Sequence, residues 1–86
     1  MAVVRLRGPL KRLAGDRAAQ EVEGATIAEL LTALEAEHPA ARGWMLDERG
    51  AIRRHINVFL NGERVGLDAP VAGDDRIDVL PAISGG

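Results

Sequence analysis

The chain contains no cysteine, only one phenylalanine and one tryptophan, and just two histidines among 86 residues. Without cysteine there is no disulfide, no thiolate metal site and no thiol nucleophile, so any covalent chemistry has to use another group. The histidines, His38 and His55, stand far apart with no serine or metal-like cluster beside them, and zinc requires three or four convergent ligands. They read as polar residues at element boundaries, and neither a catalytic residue nor a metal site is expected. No glycine-rich phosphate loop is present, so the chain should not bind ATP, or any other cofactor, by itself. Long apolar runs are also missing. The start, Met1-Ala2-Val3-Val4-Arg5-Leu6-Arg7, is broken by arginine too early for a signal-peptide core, and nothing approaches a membrane span. A cytoplasmic protein with no membrane partner is expected. Eleven Lys and Arg against thirteen Asp and Glu leave a net charge of −2, which argues against nucleic acid as a main partner.

What is present fits one small domain. A chain of this length buries roughly 60–65% of its unfolded surface, enough for one sheet and one helix. Val4 and Leu6 alternate with Val3, Arg5 and Arg7 as a half-buried strand, closed by Gly8-Pro9. Leu10 to Asp16 holds an apolar pair and a turn signal, and Ala19 to Glu23 returns as a second strand. Thr26-Ile27-Ala28-Glu29 is a capping box, with the threonine oxygen placed for the Glu29 N–H and the glutamate reaching back to the cap. Ile27, Leu30, Leu31 and Leu34 then form one apolar stripe, leaving Glu29, Thr32, Glu35 and Glu37 mostly away from it. Pro39 suits the first position of another short helix over Ala40 to Leu46, whose Trp44, Met45 and Leu46 are expected to cover an open end of the core. Asp47 to Gly50 reads as an exposed loop.

Ile56, Val58 and Leu60 alternate with Asn57 and Phe59, and Asn61-Gly62 is a strong hairpin signal leading to a short strand at Glu63 to Val65. Leu67 to Val71 is a connecting turn, and the paired aspartates after Gly73 read as turn-formers rather than a cation site. Arg76 to Leu80 is a last alternating strand, and Pro81, lacking an N–H, should release the chain. The expected division is a domain over residues 1–80 and a flexible tail over 81–86. One amphipathic helix covers only one face of such a sheet, so the other stays open unless a partner covers it. Val3, Arg5, Phe59, Asp78 and Leu80 fall on that open side, with Phe59 as an exposed aromatic. The basic run Arg53-Arg54-His55, with Arg49 before it, suits either a solvated loop or an acidic partner.

The tail ends in Gly85-Gly86. A Gly-Gly end has no Cβ to block a narrow channel, and its carboxylate can be threaded into another protein's active site. Residues 81 to 86 span at most about 20 Å when extended. An α-carboxyl group with a pKa of about 3.5 is ionised at neutral pH and a poor electrophile, so it needs activation, which adenylation by another enzyme supplies. Pro81, Ser84 and Gly85 would present it. An inert tail on a passive interaction module is the contrary reading, and deletion of Gly86 separates the two.

Ile56-Asn57-Val58-Phe59-Leu60-Asn61-Gly62-Glu63 and Asp78-Val79-Leu80-Pro81-Ala82-Ile83-Ser84-Gly85-Gly86 resemble the corresponding strand, turn and tail of the MoaD/ThiS family of ubiquitin-like sulfur carriers. The resemblance implies an α+β β-grasp fold: a mixed sheet of four to five strands, first and last side by side in the middle, packed on one main helix. It implies that Gly86 is adenylated by a ubiquitin-activating-type adenylyltransferase, which uses the ATP. A sulfur donor system then makes a thiocarboxylate that gives sulfide to an acceptor synthase, and this chain is not itself an enzyme. Val3, Arg5, Phe59 and Leu80 would be the docking surface for those partners. The pterin-synthase branch usually has two consecutive prolines where this chain has Leu80-Pro81-Ala82, so the carriers of cysteine biosynthesis are the nearer match and the small subunit of molybdopterin synthase an alternative. A ubiquitin-like modifier joined to lysines through Gly86 is another.

Overall fold

The computed structural model describes residues 2–81; the expectations for Ser84, Gly85 and Gly86 lie outside the described residues. The elements are β1 (Ala2–Leu6), α1 (Pro9–Leu13), β2 (Ala19–Val22), α2 (Ile27–Glu37), β3 (Ile56–Leu60), β4 (Glu63–Arg64) and β5 (Arg76–Pro81), with a 3-10 turn over Pro39–Ala41. The sheet order is β2-β1-β5-β3-β4, and β1 and β5 run parallel in its centre while the other neighbours are antiparallel. With α2 on one face, this is the β-grasp arrangement expected.

The two-residue period decides which face is buried. Ala2, Val4 and Leu6 of β1, Ile56 and Val58 of β3, and Ile77 and Val79 of β5 point into the core. There they meet Ile27, Leu30, Leu31 and Leu34 of α2, each fully buried and worth roughly 1.5–3 kcal/mol relative to exposure.

The start of α2 has every early N–H satisfied. Ile27 N–H donates to Ala69 O and Ala28 N–H to Leu67 O, both at 3.1 Å, and Glu29 N–H donates to Thr26 Oγ1 at 3.2 Å. The turn at 67–71 is therefore also a backbone cap for the helix. The capping box differs in one atom from the expected form: Glu29 Oε1 accepts from Ala25 N–H at 2.9 Å, one residue before the cap, because the carboxylate reaches past it.

Five other local expectations are corrected. Residues 9–13 form the helix α1, started by Pro9 and packed through the buried Leu10, where an apolar pair and turn were read. The helix expected over Ala40 to Leu46 is only the 3-10 turn, ended by a turn at Gly43 with φ +85. That turn sends Met45 and Leu46 inward but leaves Trp44 45% exposed, so the tryptophan does not cover the core. Glu35 is buried rather than wet. Finally, β5 continues through Pro81, paired with Ile56. Asn61 N–H donates to Arg76 O, and the alternation from there makes Ile56–Pro81 a pair that exchanges no hydrogen bonds. The missing N–H of Pro81 faces the β1 side, where β1 has ended at Leu6 opposite Val79, so the ladder loses nothing.

Candidate functional site

The face of the sheet opposite α2 is built by register. Asp78 of β5 pairs with Arg5 of β1 on one side and with Phe59 of β3 on the other, so these three side chains form one row across three strands. Val3 lies beside Arg76 in the row before, and Leu80 beside Asn57 in the row after. Val3, Arg5, Phe59 and Leu80 thus share the open face, as their alternation implies. Phe59 is half-buried rather than exposed, because the row packs it between Asp78 and Arg64. Arg5, Arg7, Phe59, Gly62, Asp78 and Leu80 line a shallow depression of about 230 Å³.

The polar part of the face is ordered. Arg5 Nε donates to Asp78 Oδ1 at 2.7 Å, and Arg76 Nε stands 3.7 Å from Asp78 Oδ2. Asp78 therefore holds two arginines around the apolar patch of Phe59 and Leu80, the mixed composition common at protein interfaces.

Pro81 does not belong to this face. Its parity in β5 is that of Ile77 and Val79, so it points to the helix side, and a Cβ built on Gly8 would stand 3.7 Å from its Cγ. Gly8, with φ +62, makes that turn at the close of β1. β5, which ends at Pro81, is the central strand of the sheet, held in register by β1 on one side and β3 on the other.

His38, Asp75 and Asp47 take structural parts. His38 Nε2 is 2.7 Å from Gln20 Oε1, and Gln20 Nε2 donates to Ala14 O, which ties the end of α2 to the β1–β2 connection. Asp75 accepts from Ala72 N–H and Asn61 Nδ2, and these bonds, the backbone one first, hold its carboxyl below the ordinary value of 3.8. Asp47 is lowered likewise by the N–H groups of Ala51 and Arg49. Among the described residues no three His, Asp or Glu side chains converge to hold a metal ion. No helix of these residues is long and apolar enough to cross a membrane.

Sequence reasoning missed Glu35, whose Oε2 accepts from Met45 N–H at 3.1 Å and Leu46 N–H at 3.0 Å. The signal was available: Glu35 stands at i+8 from Ile27, on the apolar stripe itself.

The strand order and the single main helix together define a ubiquitin-like β-grasp protein. The model of the ThiS family matches residues 4–86, and the chain belongs to that family of ubiquitin-like sulfur carriers and modifiers. It is 36% identical over 84 residues to the small archaeal modifier protein 1 of Haloferax volcanii, covering 95% of this chain and 97% of the relative. It is 28% identical over 78 residues to the sulfur carrier protein CysO of Mycobacterium tuberculosis, covering 84% of each. In structure it matches a chain of the Amycolatopsis orientalis BexX/CysO complex with a TM-score of 0.89 and 31% identity over the whole of both chains. These relatives are a modifier and a sulfur carrier, not catalytic enzymes.

Proposed function

We propose that the chain is a sulfur carrier whose Gly86 is the reacting residue. The carboxylate oxygen of Gly86 attacks the α-phosphorus of ATP on a separate adenylyltransferase of the ubiquitin-activating type, and pyrophosphate leaves. A hydrosulfide equivalent from a sulfur donor system then attacks the acyl carbon, AMP leaves, and the terminus becomes a thiocarboxylate. In the acceptor synthase the sulfur forms a bond to the electrophilic substrate, and water restores the Gly86 carboxylate as the acyl–sulfur bond breaks. Cysteine or a related sulfur metabolite is the product class. ATP belongs to the activating partner.

The observation that carries this reading is the placement of β5. The strand that delivers the chain to Gly85-Gly86 is the central strand of the sheet, so the end is presented from a rigid base, and the family match runs to residue 86. Ser84 and Gly85 provide the slim approach to Gly86. Val3, Arg5, Phe59 and Leu80 dock the activating and acceptor enzymes, a role supported by the half-buried apolar patch between ordered arginines. Intact-mass analysis of protein isolated from its own host tests the reading. A mass increase equal to sulfur in place of oxygen, confined to the peptide beginning at Ile77, is expected; a C-terminal peptide that never carries sulfur, in cells with the activating enzyme intact, overturns it.

The identity with a small archaeal modifier protein favours one further reading, conjugation of Gly86 to lysines of other proteins. Arg76 is the last tryptic site, so conjugates would leave the peptide Ile77 to Gly86 branched on target lysines. Their detection would establish the modifier role alongside or in place of the carrier role.

A further inference from the structure

Charge in the connecting segments separates along the direction of β5. At the end where β5 runs out lie residues 7–18, which follow β1, and residues 38–55, which feed β3, because Leu6 closes β1 opposite Val79 and Ile56 opens β3 opposite Pro81. The first segment carries Arg7, Lys11, Arg12 and Arg17. The second carries Arg42, Arg49, Arg53 and Arg54, with His55 next in line. Together these are eight of the eleven Lys and Arg residues of the chain. The acids at this end are Asp16, Asp47 and Glu48, with Glu35 and Glu37 from the last turn of α2. Two of them are turned to backbone: Glu35 holds the N–H groups of Met45 and Leu46, and Asp47 those of Arg49 and Ala51.

The other end has the opposite sign. Glu23 and the segment 61–75 present Glu23, Glu63, Asp68, Asp74 and Asp75 against Arg64. Among the described residues the ion pairs are those of Asp78 with Arg5 and Arg76 on the sheet face, so the eight cations at the β5 exit are not neutralised by salt bridges. The same end holds Trp44, the one large apolar side chain exposed among the described residues. It also holds a polar hollow of about 490 Å³ lined by Gly8, Pro9, Lys11, Arg12 and Asp16, beside Pro81.

We propose that this basic end is a docking surface for an acidic protein partner, one that presents Asp and Glu around the mouth of the channel receiving the last residues of the chain, with Trp44 as an apolar anchor. The link to the channel rests on the carrier reading above; the charge match does not. A protein fits better than a nucleic acid because β5 ends beside both basic segments, so on the carrier reading whatever covers them also has to receive the residues that follow Pro81. Unpaired cations of this kind speed encounter with an acidic partner and do so less as salt rises, while tryptophan and arginine are the residues that most often anchor an interface.

Two measurements test it. In the first, the ¹⁵N-labelled chain is titrated with a polyglutamate peptide at about 0.05 and 0.5 M NaCl, beside a uridine oligonucleotide. Shifts are expected in residues 7–18 and 42–55, including the Trp44 indole, and not in 61–75, with binding weakened at the higher salt. The exposed double reversal Arg12→Glu/Arg54→Glu should lower affinity at least about tenfold, and Asp74→Lys should stay within about twofold of wild type. Shifts centred on 61–75, wild-type affinity in the double reversal, or tighter binding of the oligonucleotide to the same residues overturns the proposal.

In the second, ATP–pyrophosphate exchange by the activating enzyme of the host is followed with the same variants. The double reversal should raise KM at low salt with kcat unchanged. A wild-type KM there overturns the basic docking end and leaves the carrier reading intact. If the wild-type chain supports no exchange while the peptide result holds, the carrier reading falls and the docking end stands.

Discussion

Asn61 meets two requirements that few side chains meet together. Its φ of +50 is in the left-handed region, which asparagine tolerates better than most residues, and Gly62 follows at +90 to complete the turn. Its amide also spans to the start of β5, with Oδ1 accepting from Arg76 N–H and Nδ2 donating to Asp75, both at 2.9 Å. The turn signal was legible in the sequence, whereas the clamp on β5 was not, because it joins residues that only the sheet brings together. Asp75 completes it with a carboxyl held below its ordinary value of 3.8. A group lowered in the folded state stabilises above its unfolded pKa and loses that contribution as pH falls through the folded one. Stability of the wild type should therefore decline below about pH 4, and Asp75→Asn should show a shallower decline, checked by denaturation midpoints at about pH 6 and pH 3. Glu35 gives a second test at this scale. Glu35→Ala leaves two buried N–H donors without an acceptor and should cost about 2 kcal/mol or more by chemical denaturation, with Glu35→Gln, which keeps an oxygen there, costing less.

Among the elements, α2 is the one the sequence specified most completely. Its cap, its apolar stripe and its stop before Pro39 are local features, and the helix spans Ile27–Glu37 as they imply. Thr26→Ala should cost about 1 kcal/mol of stability through the lost cap. Leu31→Ala, at the centre of the stripe, should cost about 2–5 kcal/mol and is measured in the same way. The first two N–H donors of the helix go instead to Leu67 and Ala69, partners that no local pattern announces. The short α1 escaped for a different reason: five residues carry too little periodicity to separate a helix from a turn, and packing of Leu10 and Leu13 onto the core sustains it. Trp44 was misplaced because its side depends on the turn at Gly43.

At the scale of the whole molecule, the parallel pairing of β1 with β5 sets the first and last strands side by side in the middle of the sheet. It places Arg5, Asp78 and Phe59 in one row and ends β5 at the side of the sheet where residues 7–18 and 38–55 lie. Phe59→Arg adds charge to the apolar patch without touching the core, so thermal unfolding should change little. The carrier reading then expects KM for the activating enzyme to rise at least about tenfold, as truncation or reversal at an interface centre does. On the carrier reading, deletion of Gly86 should abolish pyrophosphate exchange with the melting curve unchanged, since glycine has no side chain to bury in the core. An unchanged exchange rate would remove the carrier and modifier readings together.

The sequence by itself determined what adjacent residues decide: the strand and helix periods, the cap at Thr26, the turn at Asn61-Gly62 and, with no cysteine, the absence of thiol chemistry in this chain. Side-chain alternation even sorted the two faces of the sheet correctly, because a strand buried on one face has no other register that keeps Val4, Val58 and Ile77 dry. Tertiary structure alone decided the strand order, the cap that 67–69 provides for α2, the inward turn of Glu35 and the outward turn of Trp44. It also decided that cations scattered over two distant segments gather at one end. Each of these depends on contacts between residues far apart in the chain, whose free energy appears only once the sheet has closed around its central parallel pair.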